Sequence, residues 1–281
     1  LYLYGATSSL NFPTTLNSYV DTFSGGTSVY YVSNGSNFTN GTDIYVAKLS
    51  SNGTSLLGST YLGGSQNDGI NSTTSLSYDS LMNNYGDQYR GEIMLDRNSN
   101  CYITSSTKSS DFPIVNGFNS SLGGNQDAVV LKLNKDLSNL EWSTYLGGDN
   151  MDAGFSIKVD TNNYVYVCGG TASNNFPTTT GTINTSFLGG KADGYITKID
   201  TNGSQILAST LLGTNNYDQC YFIEIDRHGS IYTVGQTRGV FPLVNATYNN
   251  PNSSSFVVKL NNDLDTTYYS TVFGNGNINA K

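Results

Sequence analysis

Apolar residues in this chain come in short runs, bounded by clusters of Gly, Asn, Asp and Ser. No stretch between the runs has helical period. In DAVVLKL, from Asp127, one face carries Val129, Leu131 and Leu133 and the other carries Ala128 and Val130. In SSFVVKL, from Ser254, Phe256, Val258 and Leu260 share a face and Val257 sits on the other. A strand with one wet face alternates cleanly between apolar and polar residues. These are apolar on both faces, so their sheets lie between neighbours. The pattern predicts an all-β chain of short strands joined by tight turns.

The runs also repeat in register. DIYVAKL, DAVVLKL, DGYITKI and SSFVVKL each end in Lys and an aliphatic residue, with the Lys at positions 48, 132, 198 and 259. An ST phrase follows each Lys at the same spacing: STYLGG from Ser59, STYLGG from Ser143, STLLG from Ser209 and STVFG from Ser270. A third column ends in Asp96, Asp160 and Asp226 (EIMLD, SIKVD, FIEID). A fourth places Tyr102, Tyr166 and Tyr232 at a fixed step beyond, followed by Phe-Pro at Phe112, Phe176 and Phe241. Tyr2 stands before Pro13 as Tyr102 stands before Pro113, so the chain enters the repeat at its second strand.

Four strands per unit follow: A (ending in Asp), B (opening near Tyr), C (ending in Lys-Leu) and D (the ST phrase). A–B turns such as DTNN and C–D turns such as DTNGS carry the Gly, Asn and Asp that tolerate positive φ. Each unit is an antiparallel meander, and repeated four-stranded sheets packed face to face are the blades of a β-propeller. The expected organisation is a single propeller over 1–281. Its units run approximately 1–64, 65–148, 149–213 and 214–274, with insertions within 14–42 and 65–90. It has 15 strands, because the first unit lacks strand A. The four blades either close alone or belong to a larger ring. A two-sheet sandwich would not need four in-phase copies of one unit. The opening Leu and the closing NGNINAK read as a mature or trimmed piece of a longer chain.

At this point the chain resembles a known family. STYLGG with a Gly/Asp-rich link, an I-x-V-D strand, Y-V-x-G, F-P-T and a later D-x-x-x-x-K-L is similar to the SBBP repeat of bacterial and archaeal surface proteins. The third copy carries the pattern most fully, from Ser143 through Asp200. The resemblance implies a β-propeller module of a secreted or surface-anchored protein, a ring larger than four blades, and no catalytic residues. The first two copies depart from it by their insertions, and the fourth has Ser254 where the others have Asp.

Composition narrows the function. Only 12% of residues are charged and the net charge is −8, which argues against a nucleic-acid partner. The 21 Tyr and 12 Phe argue against disorder. No apolar run approaches the length of a membrane helix. Cys101, Cys168 and Cys220 form no metal-ligand spacing. They read as buried thiols, at least one of them unpaired within the chain.

The lone His228 lies in an A–B turn with no triad partner in view, and no P-loop or metalloprotease motif is present. Asp43, Asp127 and Asp193 open strand C, and Asp68, Asp152 and Asp218 follow the ST phrase. A residue that recurs in every blade is expected to satisfy that blade's turn amides, so no catalytic, cofactor or metal residue is assigned. Ca²⁺ is the one ion these oxygens would suit. The acid pair outside the repeat is Asp79 with Asp87, in the second insertion, and it would serve a carbohydrate-processing site.

Asn-x-Ser/Thr sequons lie at Asn34, Asn37, Asn40, Asn52, Asn71, Asn119, Asn184, Asn202, Asn245 and Asn252. Composition alone produces about as many, so position decides which are candidates for glycosylation. The expected function is a non-catalytic extracellular or cell-surface scaffold for adhesion or assembly. Its partners would be surface proteins, neighbouring subunits or glycans. One alternative is a carbohydrate-binding or carbohydrate-processing propeller. Another is a filament subunit that borrows a strand from its neighbour.

Overall fold

The computed structural model describes residues 1–31, 35–71, 81–84, 86–250 and 253–274. Asn34, Asp79, Asn252 and the NGNINAK segment lie outside them. The repeat units form antiparallel meanders, as the spacing predicts. The first blade pairs β1 (Tyr2–Thr7), β4 (Asp43–Leu49) and β5 (Leu56–Leu62). The second is β6 (Glu92–Leu95), β7 (Cys101–Thr107), β8 (Asp127–Leu133) and β9 (Leu140–Leu146). The third is β10 (Asp152–Val159), β11 (Val165–Thr171), β12 (Asp193–Ile199) and β13 (Ile206–Leu212). The fourth is β14 (Asp218–Ile225), β15 (Ile231–Thr237), β16 (Ser255–Leu260) and β17 (Thr267–Phe273). A separate hairpin, β2 (Val29–Tyr31) with β3 (Ser36–Phe38), lies in the first insertion.

The recurring residues find one another across strands. The column Lys pairs with the column Tyr in every blade: Tyr2 with Lys48, Tyr102 with Lys132, Tyr166 with Lys198 and Tyr232 with Lys259. Each ammonium lies over its ring, at 5.3, 5.3, 5.5 and 4.9 Å from the centroid in that order. A cation over a π face is attracted by the ring quadrupole, and the lysine stem covers the ring as it reaches there. Every C–D turn has one residue at positive φ: Gly53, Leu137, Gly203 and Leu264. The two leucines accept this backbone cost because their side chains are fully buried between blades.

Among the described residues three apolar cores join successive blades. Ile44, Val46 and Leu62 of the first blade meet Ile103, Val129 and Leu131 of the second. Ala128, Val130 and Leu146 meet Val167, Tyr195 and Leu211 of the third. Ile196, Cys168 and Leu212 meet Cys220, Ile231 and Phe256 of the fourth. The C strands of the two middle blades, β8 and β12, are therefore covered on both faces, as their double apolar pattern requires, whereas in β16 the Val257 face stays half-buried although its pattern predicts cover on both sides.

The ST phrase does more than end a strand. Ser143 Oγ donates to Pro113 O (2.7 Å) and accepts from the Val115 N–H (2.9 Å). Thr144 Oγ1 accepts from the Asn119 N–H (3.0 Å). Ser270 repeats the serine clasp on Pro242 and Val244 (2.7 and 2.8 Å). Thr60 and Thr210 repeat the threonine clasp on Val20 and Asn184. The hydroxyls thus fasten the Phe-Pro loop along the outer strand and satisfy its backbone groups. Replacing buried Ser143 by Ala leaves the Val115 N–H and the Pro113 carbonyl without that partner. The expected cost is about 1–3 kcal/mol, measured as a lower urea midpoint at unchanged m-value.

Candidate functional site

Strand register defines two ends of the fold. The starts of A and C meet the ends of B and D at one end, where Asp152 pairs with Thr171 and Thr171 with Asp193. The D–A links, the B–C loops and both insertions gather there, and the tight turns occupy the opposite end.

The recurring carboxylates line this loop end, all fully buried. Each caps a loop, as a once-per-blade acid should. Asp68, Asp152 and Asp218 accept the N–H of Gly64, Gly148 and Thr214 at 2.7, 2.7 and 2.6 Å. Asp43 accepts from Ser24 and Gly25, Asp127 from Gly123 and Gly124, and Asp193 from Leu188. The two sets meet in pairs across the first Gly of the ST phrase. A Cβ added to Gly147 would lie 2.6 Å from Asp127 Oδ1 and 2.7 Å from Asp152 Oδ2. Gly63 stands in the same way between Asp43 and Asp68, and Gly213 between Asp193 and Asp218. Close approach, rather than positive φ, is why glycine occupies this position.

Burial is the main cause of a raised pKa in every one of these acids. Asp68 is pushed up to about 8, Asp152 and Asp193 to about 7, and Asp127 and Asp218 to about 6. Asp43 also moves up. Hydrogen bonds from the capped amides and nearby hydroxyls oppose the shift, and the partner carboxylate adds to it for Asp68, Asp152 and Asp193.

The second insertion departs from the repeat inside strand A. Asp68 still bridges Thr107, as Asp152 pairs with Thr171. The strand resumes only at Glu92, opposite Thr104, where Ser156 stands opposite Cys168 in the third blade. The inserted residues therefore leave from the innermost strand. Leu81 packs on Ala153, Phe155, Tyr217 and Tyr221 of the third and fourth blades. A 3-10 turn, Asp87–Tyr89, follows. The first insertion lies between Gly25 and Asp43, and its hairpin reaches the second: the rings of Tyr31 and Phe38 stand edge-on to Tyr89 at 5.7 and 6.2 Å.

Asp87 is the anchor of this excursion. Its Oδ2 accepts the N–H of Asn83 (2.8 Å), the N–H of Asn84 (2.7 Å) and the Tyr221 hydroxyl (3.3 Å). Its Oδ1 accepts Arg90 Nε at 2.8 Å. The Arg90 guanidinium lies 4.1 Å from the centroid of the Tyr221 ring. Asn84 Nδ2 donates to Tyr221 Oη and Gln236 Oε1, both at 2.7 Å, and Arg238 donates to Asn83 Oδ1 at 2.6 Å. Asp87 is fully buried. Its oxygens hold the segment in place, Oδ2 through three contacts and Oδ1 through Arg90. Neither Asn83, Asn84 nor Arg238 was singled out by the repeat pattern. The sequence signal for Asn83 and Asn84 is the insertion that breaks the spacing after Thr60, and nothing in the repeat marks Arg238.

The other candidates scatter. Asn37, Asn40, Asn52, Asn202 and Asn245 are exposed, and Asn119 and Asn184 are partly covered. Asn71 is fully buried and its Nδ2 donates to Leu81 O at 2.8 Å, so the folded chain offers it to no glycan. His228 sits in its turn beside Arg227 (3.0 Å). The three cysteines are buried free thiols, and burial pushes Cys101 and Cys220 up to about 12. Trp142 borders a rim pocket of about 340 Å³ with Lys132, Glu141 and Asn202. Its ring is covered by Gly203, where a Cβ would fall 2.3 Å away. It is core and no platform for a sugar. Among the described residues no three His, Cys, Asp or Glu side chains group as a metal cluster, and no helix is long and apolar enough to cross a membrane.

Two outcomes are expected. The buried acids hold protons in the fold that the unfolded chain, with carboxyl pKa near 4, gives up. Their contribution to stability is therefore full below about pH 4 and is lost as pH rises through the folded values, about 6 to 8. Melting temperature should fall between pH 4.5 and 8.5, and Asp152→Asn should flatten that slope. Removing the anchor by Asp87→Ala strands Arg90 and two amides, and should cost about 3 kcal/mol or more in urea unfolding.

Residues 141–177, from strand D of the second blade through the Phe-Pro of the third, match the family model described as SBBP, a beta-propeller repeat. No curated protein sequence matches the chain. Among solved structures, that of a GH43_12 retrieved from capybara gut metagenome aligns at 12% identity with a TM-score of 0.37. The alignment covers 99% of this chain and 47% of that one, so the chain spans about half the length of that structure. The repeated four-stranded blades thus form a propeller-like all-β fold, within which residues 141–177 match the SBBP beta-propeller repeat.

Proposed function

We propose that this chain is a non-catalytic, extracellular scaffold module that presents a rigid loop surface for adhesion or assembly. The observation that carries the reading is the state of Asp87. It is the described acid of the inserted segment, and it is consumed in pinning that segment to the third and fourth blades. The once-per-blade acids are likewise spent on loop amides. Where a hydrolase would hold an open pocket with free carboxyls, the two insertions interlock through Tyr31, Phe38 and Tyr89. Such an end is pre-organised, and long loops on a rigid scaffold are the usual place for recognition. In an extracellular setting the exposed sequons that this end would offer to glycans are Asn37 and Asn40 of the first insertion.

Purified chain should release no reducing ends from a panel of plant, bacterial and host oligosaccharides. Turnover by the chain that is abolished in a folded Asp87→Asn variant would overturn the proposal. In protein isolated from its native source, peptide mapping should find any glycans on the exposed sequons and none on Asn71. A glycan on Asn71 would contradict its burial in this fold, and bare exposed sequons throughout would remove their support for the extracellular setting.

A further inference from the structure

Each C–D turn docks on the blade before it through the same backbone bond. The carbonyls of Leu137, Gly203 and Leu264 accept the N–H of Tyr19, Phe118 and Ile183, all at 3.0 Å. At the first and last of these junctions the turn leucine is fully buried. A small residue, Gly58 or Ala208, pairs with the column Lys on the blade that receives it. A Cβ at Gly58 would lie 3.5 Å from Leu137. The column Lys also reaches the turn: Lys48 donates to Lys135 O at 2.9 Å and Lys198 to Asn262 O at 3.3 Å.

The junction between the second and third blades keeps the docking bond and departs in its side chains. The residue paired with Lys132 is Trp142, and the turn residue packed on it is Gly203, so the bulk has moved to the other side of the contact. Any apolar ring would complete that exchange. Trp142 instead buries an indole N–H that has no acceptor among the described residues. Glu141 stands where the first and third blades carry Leu57 and Leu207. Lys132 turns to its carboxylate at 2.8 Å instead of to Thr201, the counterpart of Lys135 and Asn262. The space left between the blades is the rim pocket of about 340 Å³. Lys132, Glu141 and Trp142 form one wall, and Thr201, Asn202 and Ser204 form the other.

A buried donor without an acceptor costs stability unless something supplies one. Lys132 and Glu141 form an ion pair, so the pocket carries no net charge. The hydroxyls, amide and carboxylate around it both donate and accept. This set suits a small uncharged ligand with several hydroxyls and an acceptor for the indole. We propose that the pocket is a binding site for a single neutral sugar ring, one of whose oxygens accepts the Trp142 N–H. Gly203 covers the indole face, so recognition is by hydrogen bonds and not by stacking. Such a ring has two sources. One is a free saccharide. The other is the first sugar of a glycan on Asn202, whose sequon runs Asn202-Gly203-Ser204 along the opposite wall. The pocket lies at the turn end, away from both insertions, so it does not rest on the scaffold role proposed above.

Trp142 is the only tryptophan of the chain, so its emission reads the pocket directly. The full chain, produced without N-glycans, is titrated with the methyl glycosides of glucose, galactose, mannose and N-acetylglucosamine. The titration runs through the millimolar range, where a ligand this small binds. A saturable change in emission is expected with at least one sugar, matched by saturation-transfer NMR on that sugar. Glu141→Gln should weaken binding about tenfold, the effect of one hydrogen bond to a charged group. Trp142→Phe keeps an aromatic ring and removes the N–H, and should weaken binding about fivefold by the NMR readout. Glu141 is partly exposed, so the first variant tests the site even where the second fails to fold. For the tethered source, chain isolated with a glycan on Asn202 should show the shifted emission already. Asn202→Gln, which prevents attachment, should reverse it. If no free sugar and no Asn202 glycan changes the emission, the pocket holds only water and the inference falls. Binding that both variants leave unchanged would place the sugar elsewhere and overturn it as well.

Discussion

The contact on which the architecture depends is the aspartate that opens each inner strand. It sits at the junction of two blades, with the hydroxyls of its own blade on one side and the amide of the link from the preceding blade on the other. One oxygen of each aspartate takes the amide of the link, which draws link and strand end to a single point, while Asp152 Oδ1 and Asp218 Oδ1 are buried without a hydrogen-bond partner among the described residues. The glycine that separates it from the strand-C aspartate follows from the same crowding. The raised pKa values are the electrostatic cost of putting two carboxyls there.

Around this junction the rest is repetition. Cation-over-ring pairs stitch strands B and C, hydroxyl clasps fasten the loops to strand D, and aliphatic faces fill the space between sheets. Each contact is made within a blade or to its neighbour, which is the logic of a repeat fold. The two insertions break that rule. One starts inside an inner strand and is fastened to blades further along the chain, and the other reaches across to meet it. Long-range polar contacts such as Asn84 with Gln236 are made by these inserted residues. They give this propeller an end that is not four-fold alike.

The sequence by itself determined the blades. Fixed spacing from Lys to Ser and from Asp to Tyr encodes strand length and turn type, which are local properties. The blade strands and the capping role of the recurring Asp68, Asp152 and Asp218 were legible for that reason, whereas the hairpin of β2 and β3, which lies in an insertion without period, was not. The tertiary structure alone decided where the insertions go and what Asp87 does. A single carboxylate in an irregular loop has no period to read, and its partners Tyr221 and Arg90 become neighbours only once the blades are arranged. The same holds for Asn71, whose sequon is indistinguishable from that of Asn52 in sequence. Burial separates them, and burial is a property of the assembled blades.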